Sequence, residues 1–117
     1  MELNLIDLHV SDWETMVAWY ENVLGLKPIT LQPEHRYGWL DAGNVRIGIN
    51  GTHPPGGAQG RLTLSFEVEH LDDEMKRLGS LGCEFFDIQK DEEDGYRMAQ
   101  FRDPEGNAIT IYELMGS

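Results

Sequence analysis

The sequence contains an internal repeat, and this feature restricts the possible folds more than any other. Residues 1–50 and residues 61–114 follow the same order: a strand pattern, a capped helix pattern and three further strand patterns. Leu24-Gly25, at the end of the first helix pattern, is matched by Leu81-Gly82 at the end of the second. Self-similarity at a fixed period indicates that one supersecondary unit is used twice. The chain is therefore predicted to be α+β, with two tandem βαβββ modules.

Helices and strands are told apart by the spacing of the apolar residues. In residues 3–10, apolar side chains alternate with others, which is typical of a strand with one buried face. Asp12 then provides a side chain suited to an N-cap, and apolar residues recur at three- and four-residue spacing up to Leu24. In the second module, Asp72 is predicted to cap a helix that carries Leu71, Met75, Leu78 and Leu81 on one side.

The most specific local signal is FRDPEGNAITIYE, residues 101–113. Asp103, Pro104 and Gly106 occupy the first, second and fourth positions of a type I turn, where these residue types are favoured. Ile109 and Ile111 then alternate with polar residues. This stretch predicts a β-hairpin at the end of the second module.

The same hairpin, together with the repeat, resembles the vicinal oxygen chelate superfamily, which includes glyoxalase I, extradiol dioxygenases, and fosfomycin- and bleomycin-resistance proteins. The resemblance covers nearly the whole chain. It implies a single domain, residues 1–117, with module one at 1–50, a linker at 51–60 and module two at 61–117. It also implies a curved mixed sheet around a central cleft that holds the ligand, and a homodimer.

Metal-dependent members of that family carry a His or Gln in the first strand of each module and a Glu in the last. By this resemblance, the four positions fall at Leu5 and Gly48 in the first module, and at Thr63 and Thr110 in the second. None of these residues is a competent ligand for a divalent ion. We therefore expect no metal and no other cofactor. Glu113, beyond the position of the metal-binding Glu, is expected to be an exposed acid at the strand end.

Strand parity predicts which side chains face the cleft, and their mixture of hydroxyls, charges and aromatic rings suits a small organic ligand. The expected function is metal-independent binding of an aromatic or cationic compound, as in bleomycin-resistance proteins. Catalytic residues are not identified by the sequence. The predicted ligand-binding residues are Asp7, His9, Trp39, Arg46, Thr63, Ser65, Glu67, Thr110 and Tyr112.

Two other functions stay open at this point. The chain could be a divalent-metal-dependent lyase, isomerase or dioxygenase that uses displaced ligands such as His9 and Glu67. It could also be an accessory module whose cleft is vestigial. Metal-dependent thermal stabilisation would separate the enzyme from the other two.

The composition restricts the cellular location and the classes of binding partner that can be expected for this chain. The net charge is −12, from 21 acidic against 9 basic residues. Such a surface repels a phosphate backbone, so nucleic acid is not an expected partner. No membrane-spanning apolar run and no signal peptide are recognised, and Cys83 as the single cysteine cannot form an internal disulfide. These features predict a cytoplasmic protein that does not bind membranes.

Overall fold

A computed structural model describes residues 1–52, 62–90 and 95–115. The chain forms two compact units, Met1–Gln59 and Gly60–Ser117. Of the predicted linker, only Gly51 and Thr52 lie within the described residues.

The first unit contains β1 (Leu5–His9), α1 (Trp13–Asn22), β2 (Lys27–Gln32), a short 3₁₀ turn (Pro33–His35), β3 (Tyr37–Asp41) and β4 (Arg46–Asn50). Its four strands form one mixed sheet in the order β1-β4-β3-β2, with β1 parallel to β4. Asp12 is the N-cap of α1, as the sequence predicts, and its carboxylate accepts a hydrogen bond from the Thr15 N–H at 3.2 Å.

The second unit repeats this arrangement with β5 (Thr63–Glu67), α2 (Leu71–Ser80), β6 (Phe86–Gln89), β7 (Tyr96–Arg102) and β8 (Ala108–Leu114). The strand order is β5-β8-β7-β6, with β5 parallel to β8. Neither helix in the described part of the chain is long and apolar enough to cross a membrane.

The parallel pairs of the two units have the same register. Residue 5 pairs with 46 and residue 7 with 48, while residue 63 pairs with 108 and residue 65 with 110. If Leu5 and Thr63 are equivalent, then Gly48 and Thr110 are equivalent as well. The prediction of two βαβββ modules is therefore confirmed, with one four-stranded sheet in each module. The central cleft and the homodimer stay predictions.

In each unit, one face of the sheet packs against its helix and forms the core. The fully buried side chains of the first unit are Val10, which follows β1, and residues of α1, β3 and β4 that include Met16, Tyr20, Leu40, Ile47 and Ile49. Those of the second unit come from α2, β7 and β8 and include Leu71, Leu78, Phe101 and Ile109. Because side chains alternate along a strand, the opposite face of each sheet carries the other residues. That opposite face holds most of the predicted ligand-binding set.

The start of α2 differs from the prediction. The N-cap residue is His70, not Asp72, and the Leu71 N–H donates to Oε1 of Glu113 at 2.7 Å. Asp72 lies within the first turn and forms ion pairs with Lys90 and Arg97. The expectation that Glu113 is an exposed acid is wrong, because its side chain is only 17% exposed. Its carboxylate takes the place of a local N-cap side chain at the start of α2, although Glu113 lies 42 residues after Leu71 in the sequence.

The turn between β7 and β8 is built around Asp103, which is 4% exposed. Its Oδ1 accepts hydrogen bonds from the N–H groups of Glu105 and Asn107, and its Oδ2 accepts one from the Asn107 side-chain amide. The Gly106 N–H closes the turn on the Asp103 carbonyl at 3.0 Å, and Gly106 has a φ of +89°. The predicted turn is confirmed.

Replacement of Asp103 by alanine is expected to lower the free energy of unfolding by about 1.5 kcal/mol, because backbone N–H groups lose their acceptor. Chemical denaturation of both proteins measures this difference. Asp41→Ala is the matched control, since Asp41 is exposed and accepts a hydrogen bond from the Gly43 N–H in the corresponding turn of the first unit. An equal loss in the two variants would contradict the central role of Asp103.

Candidate functional site

The second unit contains a cavity of about 430 Å³ on the face of its sheet that points away from α2. Strands β5, β7 and β8 contribute its walls, each through alternate residues. Every lining residue is uncharged at neutral pH. They are Thr63, Ser65, Tyr96, Met98, Gln100, Thr110, Tyr112 and Leu114.

Polar and apolar groups share this cavity. Thr110 is 7% exposed, and its Oγ1 accepts a hydrogen bond from the Gln100 Nε2 at 3.0 Å. This bond orients the Gln100 amide, whose carbonyl oxygen and second N–H keep their capacity for a ligand. Tyrosine, methionine and leucine side chains complete the lining and offer apolar surface. The cavity therefore suits an uncharged or aromatic group with a few hydrogen-bonding atoms.

Four of the predicted ligand-binding residues, Thr63, Ser65, Thr110 and Tyr112, line this cavity. The lining residues from β7 and from the end of β8 are not among those predicted from the sequence. A signal for them was present, because the confirmed turn places Gln100 opposite Thr110 and Met98 opposite Tyr112. The hairpin register therefore implies that alternate β7 residues share a face with Thr110.

In the first unit, three predicted residues belong to one contact network. The Trp39 indole N–H donates to the Tyr37 hydroxyl at 2.6 Å, and that hydroxyl donates to Oδ1 of Asp7 at 3.1 Å. The Arg46 guanidinium lies over the Trp39 ring, 5.4 Å from its centroid. Gly48 makes this network possible, since a Cβ at residue 48 would overlap the Asp7 carboxylate. One face of Trp39 is thus covered by a cation instead of being open to a flat ligand.

The network also affects the ionisation of Tyr37. The pKa of this phenol is raised above its usual value, first because burial removes it from water and further because the Asp7 carboxylate is nearby. The hydrogen bond from Trp39 acts in the opposite direction. Tyr37 therefore stays protonated at neutral pH and serves as a hydrogen-bond donor to Asp7.

The side chains of His9 and Glu67 are both exposed. His9 is the last residue of β1 and Glu67 the last residue of β5, and their strand partners are Asn50 and Tyr112. His9 lies in the first unit and Glu67 in the second. Whether either side chain binds a ligand stays a prediction.

The residues at the four metal positions do not fit a divalent ion. Leu5 and Gly48 offer no side-chain donor, and Thr63 and Thr110 offer hydroxyls in place of imidazole or carboxylate. The space beside Gly48 is taken by the Asp7 carboxylate and the Tyr37 hydroxyl. Within residues 1–52, 62–90 and 95–115, no three His, Cys, Asp or Glu residues are grouped to hold a metal ion.

Comparison with known proteins supports the resemblance that the repeat and the hairpin suggest. Residues 2–111 match the model of the Glyoxalase/Bleomycin resistance protein/Dioxygenase superfamily. A curated relative, the uncharacterized protein YraH of Bacillus subtilis (strain 168), is 30% identical in an alignment that covers 98% of this chain and all of that protein.

Solved structures share the fold at lower identity. TnmS3, an antibiotic binding protein from Streptomyces, superposes with a TM-score of 0.78 at 24% identity and covers 97% of this chain and 96% of its own. Lactoylglutathione lyase from Agrobacterium tumefaciens superposes with a TM-score of 0.76 at 20% identity, over 96% of this chain and 92% of its own. A binding protein and an enzyme are thus both found on this fold, which by itself does not decide between them.

Proposed function

Because the chain belongs to the Glyoxalase/Bleomycin resistance protein/Dioxygenase superfamily, we propose that it is a metal-independent binding protein for a small organic molecule with an aromatic part. One observation carries this proposal, the cavity of about 430 Å³ in the second unit. Its volume lies within the range of about 300–1,000 Å³ that is usual for small-molecule sites.

The lining favours a planar apolar group over a charged one. Tyr96, Met98 and Tyr112 supply aromatic and thioether surface, which contacts aromatic rings favourably. Thr63, Ser65 and Gln100 supply hydroxyl and amide groups that fix the orientation of a ligand. A charged group inside this cavity would lose water without gaining an ionic partner. The net charge of −12 repels anionic ligands as they approach and therefore favours neutral or cationic ones.

The chemistry at the metal positions supports binding without a metal. Thr110 stands where metal-dependent relatives carry a Glu, and its hydroxyl is engaged by Gln100. A threonine hydroxyl bonded in this way orients an amide but does not supply the negative charge that a divalent ion requires. The antibiotic binding protein TnmS3 is a precedent for binding on this fold.

N-phenyl-1-naphthylamine, a neutral aromatic dye whose fluorescence rises in apolar sites, is a suitable probe. We expect a saturable fluorescence increase with the full chain that EDTA leaves unchanged. Replacing Ser65 with arginine places a charged side chain in the cavity and should weaken dye binding about tenfold or more. A fluorescence titration of each protein measures the change.

Ser80→Arg is the matched control, because it adds the same charge at an exposed position of α2, where the Ser80 hydroxyl donates to the Arg77 carbonyl. Its dye affinity should equal that of the parent protein. Equal weakening in both variants, or dye binding that EDTA abolishes, would count against the proposal.

A further inference from the structure

A second cavity, of about 310 Å³, lies beside the turn between β3 and β4 in the first unit and shares no residue with the cavity described above. It brings together two opposite charges, two carboxamides and two aliphatic side chains. These residues are Asp41, Arg46, Asn4, Asn44, Ile29 and Val45.

The two charged residues of this cavity do not neutralise each other. Asp41 and Arg46 are directly opposite in the β3–β4 register, where side chains of opposite charge commonly pair. Among the described residues, neither Asp41 nor Arg46 is a member of an ion pair. Arg46 lies over the Trp39 ring instead, and the Asp41 carboxylate accepts a hydrogen bond from the Gly43 N–H at 2.9 Å. Both charges therefore border the cavity and keep donor or acceptor capacity for a ligand.

Two local features of the backbone place the aliphatic side chains. The β2–β3 register passes from Pro28 opposite Leu40 to Thr30 opposite Trp39, so Ile29 is the extra residue of a β-bulge. Bulges redirect a side chain relative to the regular alternation, and Ile29 is 48% exposed. The Ala42 N–H donates to the Val45 carbonyl at 3.0 Å and closes the turn that carries Val45.

We propose that this cavity binds a zwitterionic α-amino acid with an aliphatic side chain. Arg46 pairs with the ligand carboxylate, Asp41 pairs with the ammonium group, and the Asn4 and Asn44 amides hydrogen-bond the same two groups. The aliphatic side chain of the ligand contacts Ile29 and Val45. A zwitterion engages both protein charges, whereas a ligand with one charge engages only one of them, so the zwitterion is preferred. A cavity of about 310 Å³ is at the small end for ligand sites and suits a molecule of this size.

Isothermal titration calorimetry of the full chain with L-leucine tests this assignment. The matched probes are 3-methylbutylamine, which lacks the carboxylate, and 4-methylpentanoate, which lacks the ammonium group. We expect L-leucine to bind and each single-charge analogue to bind about tenfold more weakly or worse. Absence of measurable L-leucine binding, or equal binding of the amine, would overturn the proposal.

Variants locate the site within the chain. Asp41→Asn keeps an acceptor for the Gly43 N–H, and Arg46→Gln removes the cation; each should weaken L-leucine binding about tenfold. Lys27→Gln is the matched control, because Lys27 is opposite Asp41 on the β2 side but does not line the cavity. Equal weakening in Arg46→Gln and Lys27→Gln would reject the site. Asp41→Asn should retain binding of N-phenyl-1-naphthylamine, so failure of this inference is distinguishable from failure of the proposed function.

Discussion

Replacing Phe101 with alanine is expected to lower the free energy of unfolding by about 4 kcal/mol, because it leaves a large cavity in the core of the second unit. Phe101 is fully buried on β7 and meets the Phe85 ring edge-on, with 5.6 Å between the ring centroids. For a chain of this size, the corresponding fall in Tm is roughly 15 °C. Thermal and chemical denaturation measure the two quantities.

Phe86→Ala is the matched control for the same deletion at an exposed position. Phe86 lies on the edge strand β6, is 37% exposed and contacts the Arg102 guanidinium at 4.7 Å from the ring centroid. Its loss should cost less than about 1 kcal/mol. Comparable losses in the two variants would mean that the face of β7 assigned to the core is wrong.

The two faces of β7 illustrate how much of this site could be predicted from the sequence. The turn at Asp103 and Gly106 was recognisable from residue type alone, because few residues suit those backbone positions. Once the turn is placed, the register follows, and Gln100 must lie opposite Thr110. The alternation in β5 and β8 likewise places Thr63, Ser65 and Tyr112 on one face of the sheet, and all three line the first cavity.

Contacts between segments that are far apart in the sequence could not be predicted in the same way. The cap of α2 comes from Glu113, 42 residues away from Leu71, while local patterns pointed to Asp72. The bond between Tyr37 and Asp7 spans 30 residues and depends on the missing Cβ of Gly48. Such contacts depend on how packed elements are placed, and side-chain periodicity within one element carries no information about that placement.

The position of Ile29 shows a third kind of limit. β2 extends over Lys27–Gln32 and carries a bulge at Ile29. A bulge changes the face of one residue without changing the residue types around it. The place of Ile29 in the lining of the second cavity was therefore not foreseeable from the sequence.

Replacing Thr110 with glutamate restores the residue type that metal-dependent relatives carry at this position, and we expect it to destabilise the protein by about 2–3 kcal/mol. Thr110 is 7% exposed and its surroundings, Ser65 and Gln100, are uncharged, so the carboxylate gains no cationic partner. Burial raises the pKa of such a carboxyl group, so the unfolded state loses its proton first as the pH rises. The penalty should therefore be larger at about pH 8 than at about pH 5.

Thr110→Gln separates charge from size, because it adds the same number of heavy atoms without the carboxylate, and it should show no pH-dependent penalty.

Thermal shift with zinc, nickel or manganese is the decisive measurement on Thr110→Glu. One carboxylate cannot hold a divalent ion when Thr63 and Ser65 on the neighbouring strand supply no further strong ligand, so added metal should not restore the lost stability. A stabilisation by metal that EDTA reverses would show that other ligands converge on Thr110, and the metal-independent function would then have to be abandoned.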